Sequence, residues 1–133
     1  MIRCLADTSV WIDYFNSKNN SPQKQKLKNY IESGEQVFFC PVIYQEVLQG
    51  VRNDDDFKKI KNFIGGFDMT KTDIITASNY AVDIYRALRK NGLTIRKPQD
   101  CLIAAYSIIE DLPLLHSDKD FDVISTMFEL KIM

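Results

Sequence analysis

The sequence predicts an α/β fold, and three observations lead to it. Short apolar segments alternate with longer amphipathic ones along the 133 residues, which is typical of parallel strands joined by helices. The chain is 45% hydrophobic and 26% charged, as ordinary globular domains are. No stretch reaches the ~20 apolar residues that cross a bilayer. We therefore expect one domain, residues 1–133, built as a three-layer α/β/α sandwich around a mainly parallel sheet of four to five strands.

The first third of the chain predicts one strand and two helices. Residues 2–6 are apolar apart from one arginine and are long enough for a strand. Thr8 or Ser9 can cap a helix to about residue 15, because a hydroxyl there accepts a free backbone N–H. Proline in the first turn and glycine after the last delimit a second helix, over residues 22–34.

The middle of the chain predicts a second strand and two further helices. Residues 36–40 combine valine with aromatic residues, which favours a strand. Pro41 then opens a helix whose apolar residues recur every three or four positions, so that one stripe faces the core. A charged helix over residues 57–64 ends at two consecutive glycines.

The C-terminal half predicts two helices and two strands. The longest helix runs over residues 73–90 and is closed by an Asn-Gly pair. Pro98 precedes a helix that is apolar nearly all round, as helices buried on most sides are. Residues 112–115 are predicted to form a strand, and residues 128–132 a last strand at the edge of the sheet.

Composition excludes several classes of protein. The three cysteines are widely spaced in apolar segments and the chain has one histidine, so neither a disulfide framework nor a zinc site is expected. A net charge of −1 argues against nucleic-acid binding over the whole surface and leaves room for a local basic patch. Asp7 comes before a signal peptide's apolar segment could form, which predicts a cytoplasmic protein away from membranes.

Acidic residues occur where predicted strands end and helices begin. Asp7 follows the first strand, Glu46 lies in the helix after the second, Asp100 lies in the first turn of the apolar helix, and Asp118 follows the strand over 112–115. Each has an ordinary alternative, because aspartates often cap helices and a glutamate in mid-helix is usually solvated. Open α/β sheets bind ligands beyond the carboxyl ends of their strands. We therefore predict that the four acids converge there.

A calcium-binding loop is the first alternative for the acidic segment that starts at Asp118. Acids at positions 1, 3, 5 and 12 of such a loop match this segment. The sixth position must be glycine for the sharp turn, and here it is Val123. The sequence therefore argues against a calcium loop.

Four carboxylates in one cleft require a cation. Two of them ~4 Å apart repel each other by about 4 kcal/mol at an effective dielectric constant of about 20. An all-oxygen ligand set favours Mg²⁺, with Mn²⁺ as the alternative. Such a site suits the hydrolysis of a phosphodiester bond.

Four segments of the chain resemble the PIN-domain family. They are Leu5–Asp13, the helix that carries Glu46, Pro98–Ala105 and Leu115–Phe121, and they span nearly the whole chain in the family's order. The likeness is greatest to the VapC-type toxin ribonucleases of bacterial and archaeal toxin–antitoxin pairs. This resemblance implies a Rossmann-like α/β/α sandwich and a Mg²⁺-dependent endoribonuclease.

The resemblance also implies a role for each acid. The catalytic acids would be Asp7, Glu46, Asp100 and Asp118. Asp7 and Asp100 would be the most direct metal ligands, and the other two would bind directly or through water. The supporting residues would be Thr8, Ser9 and Asp120. Because His116-Ser117 stands where relatives often have a threonine-containing segment, Asp120 competes with Asp118 as the fourth acid.

The partners that the resemblance implies are RNA, a cognate antitoxin and a second copy of the chain. The antitoxin would present an arginine to the carboxylates, whose geometry matches a guanidinium. Its apolar contacts, or else ordinary core packing, are assigned to Tyr14, Phe15, Tyr44 and Leu48. The candidates for holding the RNA backbone, with a solvated helix end as the alternative, are Arg86, Arg89, Lys90, Arg96 and Lys97.

Three other functions compete with this interpretation. A phosphorylated receiver domain expects two adjacent acids after an early strand, whereas Asp7 is followed by Thr8. A PIN-like nuclease of RNA processing or DNA repair would share the site and would usually carry extra domains or basic extensions. A non-catalytic binding module would lack one of the four acids.

Overall fold

The computed structural model describes residues 1–133 and confirms the predicted α/β/α architecture. In chain order the elements are β1 (Arg3–Ala6), α1 (Thr8–Phe15), α2 (Pro22–Glu32), β2 (Gln36–Phe39), α3 (Pro41–Gln49), α4 (Asp54–Ile64), β3 (Asp68–Met69), α5 (Ile74–Lys90), α6 (Gln99–Ile109), β4 (Leu114–Leu115) and α7 (Lys119–Ser125). Helix α1 packs against α2 and α3, and α5 packs against α6.

All four strands of the sheet are parallel, in the order β3-β2-β1-β4. The central strand β1 pairs Leu5 with Phe38 of β2 on one side and with Leu114 of β4 on the other. Both faces of a parallel sheet are covered by helices, which explains why Cys4, Leu5 and Ala6 are all fully buried. The carboxyl ends of β1 and β4 consequently lie side by side.

The predicted edge strand over residues 128–132 is wrong. Only Ile132 pairs with the sheet, through an isolated bridge to Leu114. The segment is held there by two backbone hydrogen bonds, from Leu114 N to Lys131 O (2.8 Å) and from Met133 N to Leu114 O (2.9 Å). The fourth strand is instead β3, which consists of two exposed residues and is too short to show the alternating pattern of a strand.

The helices begin and end close to the proline, glycine and capping residues that predicted their boundaries, with one correction. The N-cap of α1 is Asp7, one residue before the hydroxyl residues Thr8 and Ser9 that were expected to cap it. Asp7 has extended backbone angles, and its carboxylate accepts the N–H of Ser9 at 3.4 Å. A carboxylate satisfies a free first-turn N–H as a hydroxyl does, and the helix dipole favours its negative charge.

Aromatic packing fixes α1 against the sheet. Trp11 is fully buried and stacks on Phe39 of β2, with ring centroids 4.5 Å apart. Tyr14 and Phe15 are half-buried and pack against Phe63 of α4. Leu48, one of the four residues assigned to a partner surface or to the core, is buried. None of the seven helices is both long enough and apolar enough to span a bilayer.

The connection between β3 and α5 is anchored by one carboxylate. Glu110, at the end of α6, accepts the backbone N–H groups of Lys71 and Thr72 at 2.9 Å each and the Thr72 hydroxyl at 2.7 Å. These three bonds tie the edge strand to the helix that carries Asp100.

Replacing Glu110 by alanine is expected to lower the free energy of unfolding by about 2 kcal/mol, because hydrogen bonds to a charged group contribute about 1.5–3 kcal/mol. Urea denaturation followed by circular dichroism measures this change. The matched control is Glu129→Ala, at an exposed residue without a side-chain hydrogen bond, which should stay within about 0.5 kcal/mol of wild type. Equal stability of the two variants would contradict the anchoring role.

Candidate metal centre

The acidic residues gather beyond the carboxyl ends of β1 and β4. The backbone N–H of Asp7 donates to the carbonyl of Leu115 at 2.9 Å, so the two strands end in register. Asp7 then begins α1, and Asp118 begins α7 as its N-cap. Asp100 lies in the first turn of α6, and Asp120 in the first turn of α7. Helix N-termini favour negative side chains, which explains how these positions tolerate so many acids.

Three of these carboxylates lie close enough to share one cation. Asp100, Asp118 and Asp120 each offer an oxygen, and these atoms lie within 4.8 Å of one another. Asp100 and Asp120 are buried, whereas Asp118 is half-buried. Asp118 and Asp120, the two candidates for the fourth acid, both belong to this group.

Asp7 lies beside this triad. It is 5% exposed, and burial is the main cause that raises the pKa of its carboxyl, with the nearby charge of Glu46 adding to the rise. The hydroxyl of Ser9 donates to Asp7 Oδ2 at 2.8 Å, and this bond and those from backbone N–H groups offset part of the rise. The charge of Asp7 in turn raises the pKa of Asp100, so the two carboxyls share one environment.

A chain of hydroxyls links Asp7 to the loop after β4. Ser9 Oγ and Ser117 Oγ are 3.0 Å apart, and Ser9 already donates its proton to Asp7. A serine hydroxyl has one proton, so Ser117 must be the donor to Ser9. The order Ser117 to Ser9 to Asp7 therefore ties the loop that carries Asp118 to the start of α1.

Glu46 occupies the border of the site. It is half-buried on α3, and its Oε1 accepts the hydroxyl of Thr8 at 2.7 Å. Thr8 and Ser9 thus hold different acids, Thr8 the more distant Glu46 and Ser9 the buried Asp7. The structure brings Glu46 near Asp7, but Glu46 does not belong to the group of three carboxylates that could share an ion.

Among the acids of the site, Asp100 has a strongly raised pKa, and burial is the main cause. Burial, the charge of Asp7, a hydrogen bond with Asp120 and the charge of Asp118 together raise its pKa to about 8. Its Oδ2 is buried and has no hydrogen-bond partner. A buried carboxylate oxygen without a donor costs free energy unless a cation binds it. The residues present therefore fit a divalent ion, and their all-oxygen donor set fits Mg²⁺ or Mn²⁺.

The segment before α6 neutralises part of the cluster. Lys97 Nζ lies 3.2 Å from Asp118 Oδ2, and Arg96 Nη2 lies 3.8 Å from the same atom. Burial works to raise the pKa of Asp118, but the N–H of Asp120 and these two cations hold it below its ordinary value. The backbone N–H groups of Arg96 and Lys97 also donate to Asp120, at 3.3 and 3.0 Å.

The five basic residues predicted to contact RNA thus separate into two groups. Arg96 and Lys97 lie at the acids. Arg86, Arg89 and Lys90 lie exposed in the last turns of α5, where the Arg89 guanidinium is 5.6 Å from the centre of the Tyr85 ring. The sequence did not predict that the backbone N–H groups of residues 96 and 97 bind Asp120, because almost every residue type carries the same backbone donor.

Comparison with known proteins places the chain in a family. The PIN domain family matches residues 4–126. Ribonuclease VapC11 of Mycobacterium tuberculosis is 32% identical over 127 residues, which cover 96% of this chain and 95% of that protein.

Two solved structures share the fold. The VapBC2 structure from Rickettsia felis, bound to a DNA fragment from its promoter, matches with a TM-score of 0.74 and 15% identity, over 100% of this chain and 98% of that one. The VapBC-1 structure from nontypeable Haemophilus influenzae matches with a TM-score of 0.73 and 18% identity, over 100% and 97%. Because the family match and the alignment with a VapC ribonuclease each extend over nearly all of its length, this chain belongs to the PIN-domain family.

Proposed function

We propose that this chain is a Mg²⁺-dependent endoribonuclease and the toxic component of a toxin–antitoxin pair. The observation that carries the proposal is the clustering of Asp100, Asp118 and Asp120, together with a buried Asp100 oxygen that has no protein partner. The similarity to VapC ribonucleases supports RNA as the substrate. Mn²⁺ is the alternative ion, because it accepts the same oxygen ligands.

The more buried acids would bind the ion directly, and the more exposed ones would complete the site. Asp7 and Asp100, the two most buried carboxylates, would hold the ion directly, and Asp118 and Asp120 would complete its ligands. Glu46, held by Thr8 at the border, would act on the ion through water. When bound, a divalent ion polarises a phosphoryl oxygen and stabilises the leaving oxygen of an in-line displacement. The Ser9 hydroxyl donates to Asp7 and so lowers the pKa of that carboxyl, against the larger rise that burial causes.

The cationic residues would hold the RNA backbone. Lys97 pairs with Asp118, and a ligand role for Asp118 would free the Lys97 ammonium to contact a phosphate next to the scissile bond. Arg86, Arg89 and Lys90 at the end of α5 would contact phosphates farther along the strand. The acidic centre repels RNA, so these contacts supply the attraction that it lacks.

An antitoxin and a second copy would be the protein partners. An apolar groove of about 350 Å³ between α1, α3 and α4 is lined by Ile12, Phe15, Val47 and Ile60, and it suits an apolar antitoxin segment. An arginine of the same antitoxin would pair with the carboxylates. For a homodimer, α5 offers Ile75 and Val82, which are exposed and seven residues apart on one helix face.

Removing a central acid is expected to abolish cleavage. Asp100→Asn and Asp7→Ala should each lower the rate of Mg²⁺-dependent RNA cleavage by more than about 100-fold, because even residues that only orient metal ligands contribute about 10–100-fold to metal affinity or activity. Gel electrophoresis of a labelled RNA measures the rate, with Asp83→Asn as the control at an exposed position of α5. Full activity in either variant, or wild-type cleavage that EDTA leaves unchanged, would contradict the mechanism.

The stability of the metal-free protein should fall with pH. The pKa of Asp100 is about 8 in the folded chain, against 3.8 for an ordinary aspartate, so between these two pH values the folded state binds one proton more than the unfolded state. The stability that this proton contributes is fully present below pH 4 and is lost as the pH rises through 8. Asp100→Asn cannot ionise, so its unfolding temperature relative to wild type should be higher at pH 9 than at pH 5.

Thermal denaturation at the two pH values, with and without Mg²⁺, measures this difference. Mg²⁺ should raise the unfolding temperature of wild type more than that of Asp100→Asn, because a ligand stabilises only the state that binds it. An advantage of Asp100→Asn that is the same at both pH values would contradict the assignment of the proton to Asp100.

Expression without the partner is expected to arrest growth. Growth curves after induction should show arrest by wild type, no arrest by Asp100→Asn, and relief when the neighbouring small reading frame is co-expressed. Toxicity that persists in Asp100→Asn would indicate an effect other than hydrolysis. Sequencing the 5′ ends of cellular RNA after a brief pulse of either protein identifies the cleaved sites.

A further inference from the structure

The chain's one histidine, His116, lies at the acidic cluster and has no role in the proposed chemistry. It connects β4 to Asp118 and is 8% exposed. Its ring packs on Phe121 of α7, with ring centroids 5.1 Å apart. Both ring nitrogens face the beginning of α7, where the imidazole contacts the N-cap residue and the first turn of the helix.

The contacts of the ring define its tautomer. The backbone N–H of Asp118 donates to His116 Nδ1 at 3.1 Å. A backbone N–H can only donate, so Nδ1 must carry a lone pair, and the proton of the neutral ring lies on Nε2. Nε2 lies 3.4 Å from Oδ1 of Asp122, an exposed carboxylate that favours a proton on this side.

This arrangement fixes two of the three carboxylates that could share the ion. Asp118 is the N-cap of α7, and its Oδ1 accepts the N–H of Asp120 at 3.0 Å. The His116 ring binds the backbone of Asp118 and also packs on Phe121, and these two contacts restrict the first turn of α7. The positions of Asp118 and Asp120 therefore depend on where the imidazole sits.

We propose that His116 is a positioning residue: its unprotonated Nδ1 holds the N–H of Asp118 and thereby aims Asp118 and Asp120 at the cation. The inference rests on the proposed metal site and adds a residue to it. Residues that orient metal ligands typically contribute about 10–100-fold to metal affinity. His116 does so without contacting the ion, because Nδ1 is occupied by Asp118 and Nε2 faces Asp122.

Two isosteric substitutions separate the two nitrogens. In His116→Asn the amide oxygen takes the place of Nδ1 and still accepts the N–H of Asp118. In His116→Gln the amide takes the place of Nε2, and the acceptor at Nδ1 is lost. We expect His116→Gln to weaken Mn²⁺ binding by at least about 10-fold, and His116→Asn to stay within about threefold of wild type. Electron paramagnetic resonance of free Mn²⁺ measures the affinity without RNA.

A purely structural role predicts a different pattern. Both variants would then be less stable to urea, and the Mn²⁺ affinity of the folded fraction would equal that of wild type, which would overturn the proposal. Equal loss of affinity in the two variants would overturn it as well. A wild-type protein that binds no Mn²⁺ would instead refute the metal site itself, and with it the reason for positioning.

The wild-type protein offers a second measurement that needs no variant to fold. With one histidine and no affinity tag, the nitrogen-15 spectrum of the imidazole contains a single ring. We expect Nδ1 to be unprotonated and the proton to lie on Nε2. A ring with its proton on Nδ1 would contradict the proposal even if both variants were insoluble.

Discussion

Repulsion between buried carboxylates is the constraint on which the rest of this structure depends. Asp7, Asp100 and Asp120 are each at least nine-tenths buried, where water no longer screens their charges. The fold lowers this cost by several means: helix N-termini at Asp7 and Asp118, hydrogen bonds donated by serine and backbone groups, and a pKa of Asp100 raised to about 8, which favours its neutral form. The buried Oδ2 of Asp100 still has no hydrogen-bond partner, and the carboxylates around it fit a cation.

The sheet explains why the acids meet. Parallel pairing of β1 with both neighbours brings the carboxyl ends of β1 and β4 to one edge, and the hydrogen bond from Asp7 to Leu115 closes that edge. Short connections then begin helices at once, so that caps and first turns fall at the same place. In this fold the requirements of helix capping and of metal binding select the same residue types. An aspartate here can therefore cap a helix and also serve as a ligand for a cation.

Much of the fold was accessible from sequence because apolar periodicity and punctuation by proline and glycine are local properties. The long helix α5 and the buried helix α6 were predicted within one or two residues. The edge of the sheet was not, because β3 has two exposed residues and residues 128–132 look like a strand but pair only at Ile132. In the site, the positions of single acids were predictable from the strand ends, whereas the placement of Asp120 and His116 depends on hydrogen bonds with backbone N–H groups. Such contacts cannot be predicted from residue type, because every residue except proline has a backbone N–H group.

The loop between α5 and α6 reaches the cluster with its main chain as well as its side chains. The backbone N–H groups of two consecutive residues, Arg96 and Lys97, both donate hydrogen bonds to the carboxylate of Asp120. Peptide groups are the same for every residue except proline, so the sequence of this loop is free to drift while its length is not. Deleting one residue would withdraw a donor, whereas exchanging side chains would leave both donors in place and alter only the ion pairs with Asp118. In homologous proteins, the residue types at these two positions should vary, whereas the number of residues between them and the next helix should stay the same.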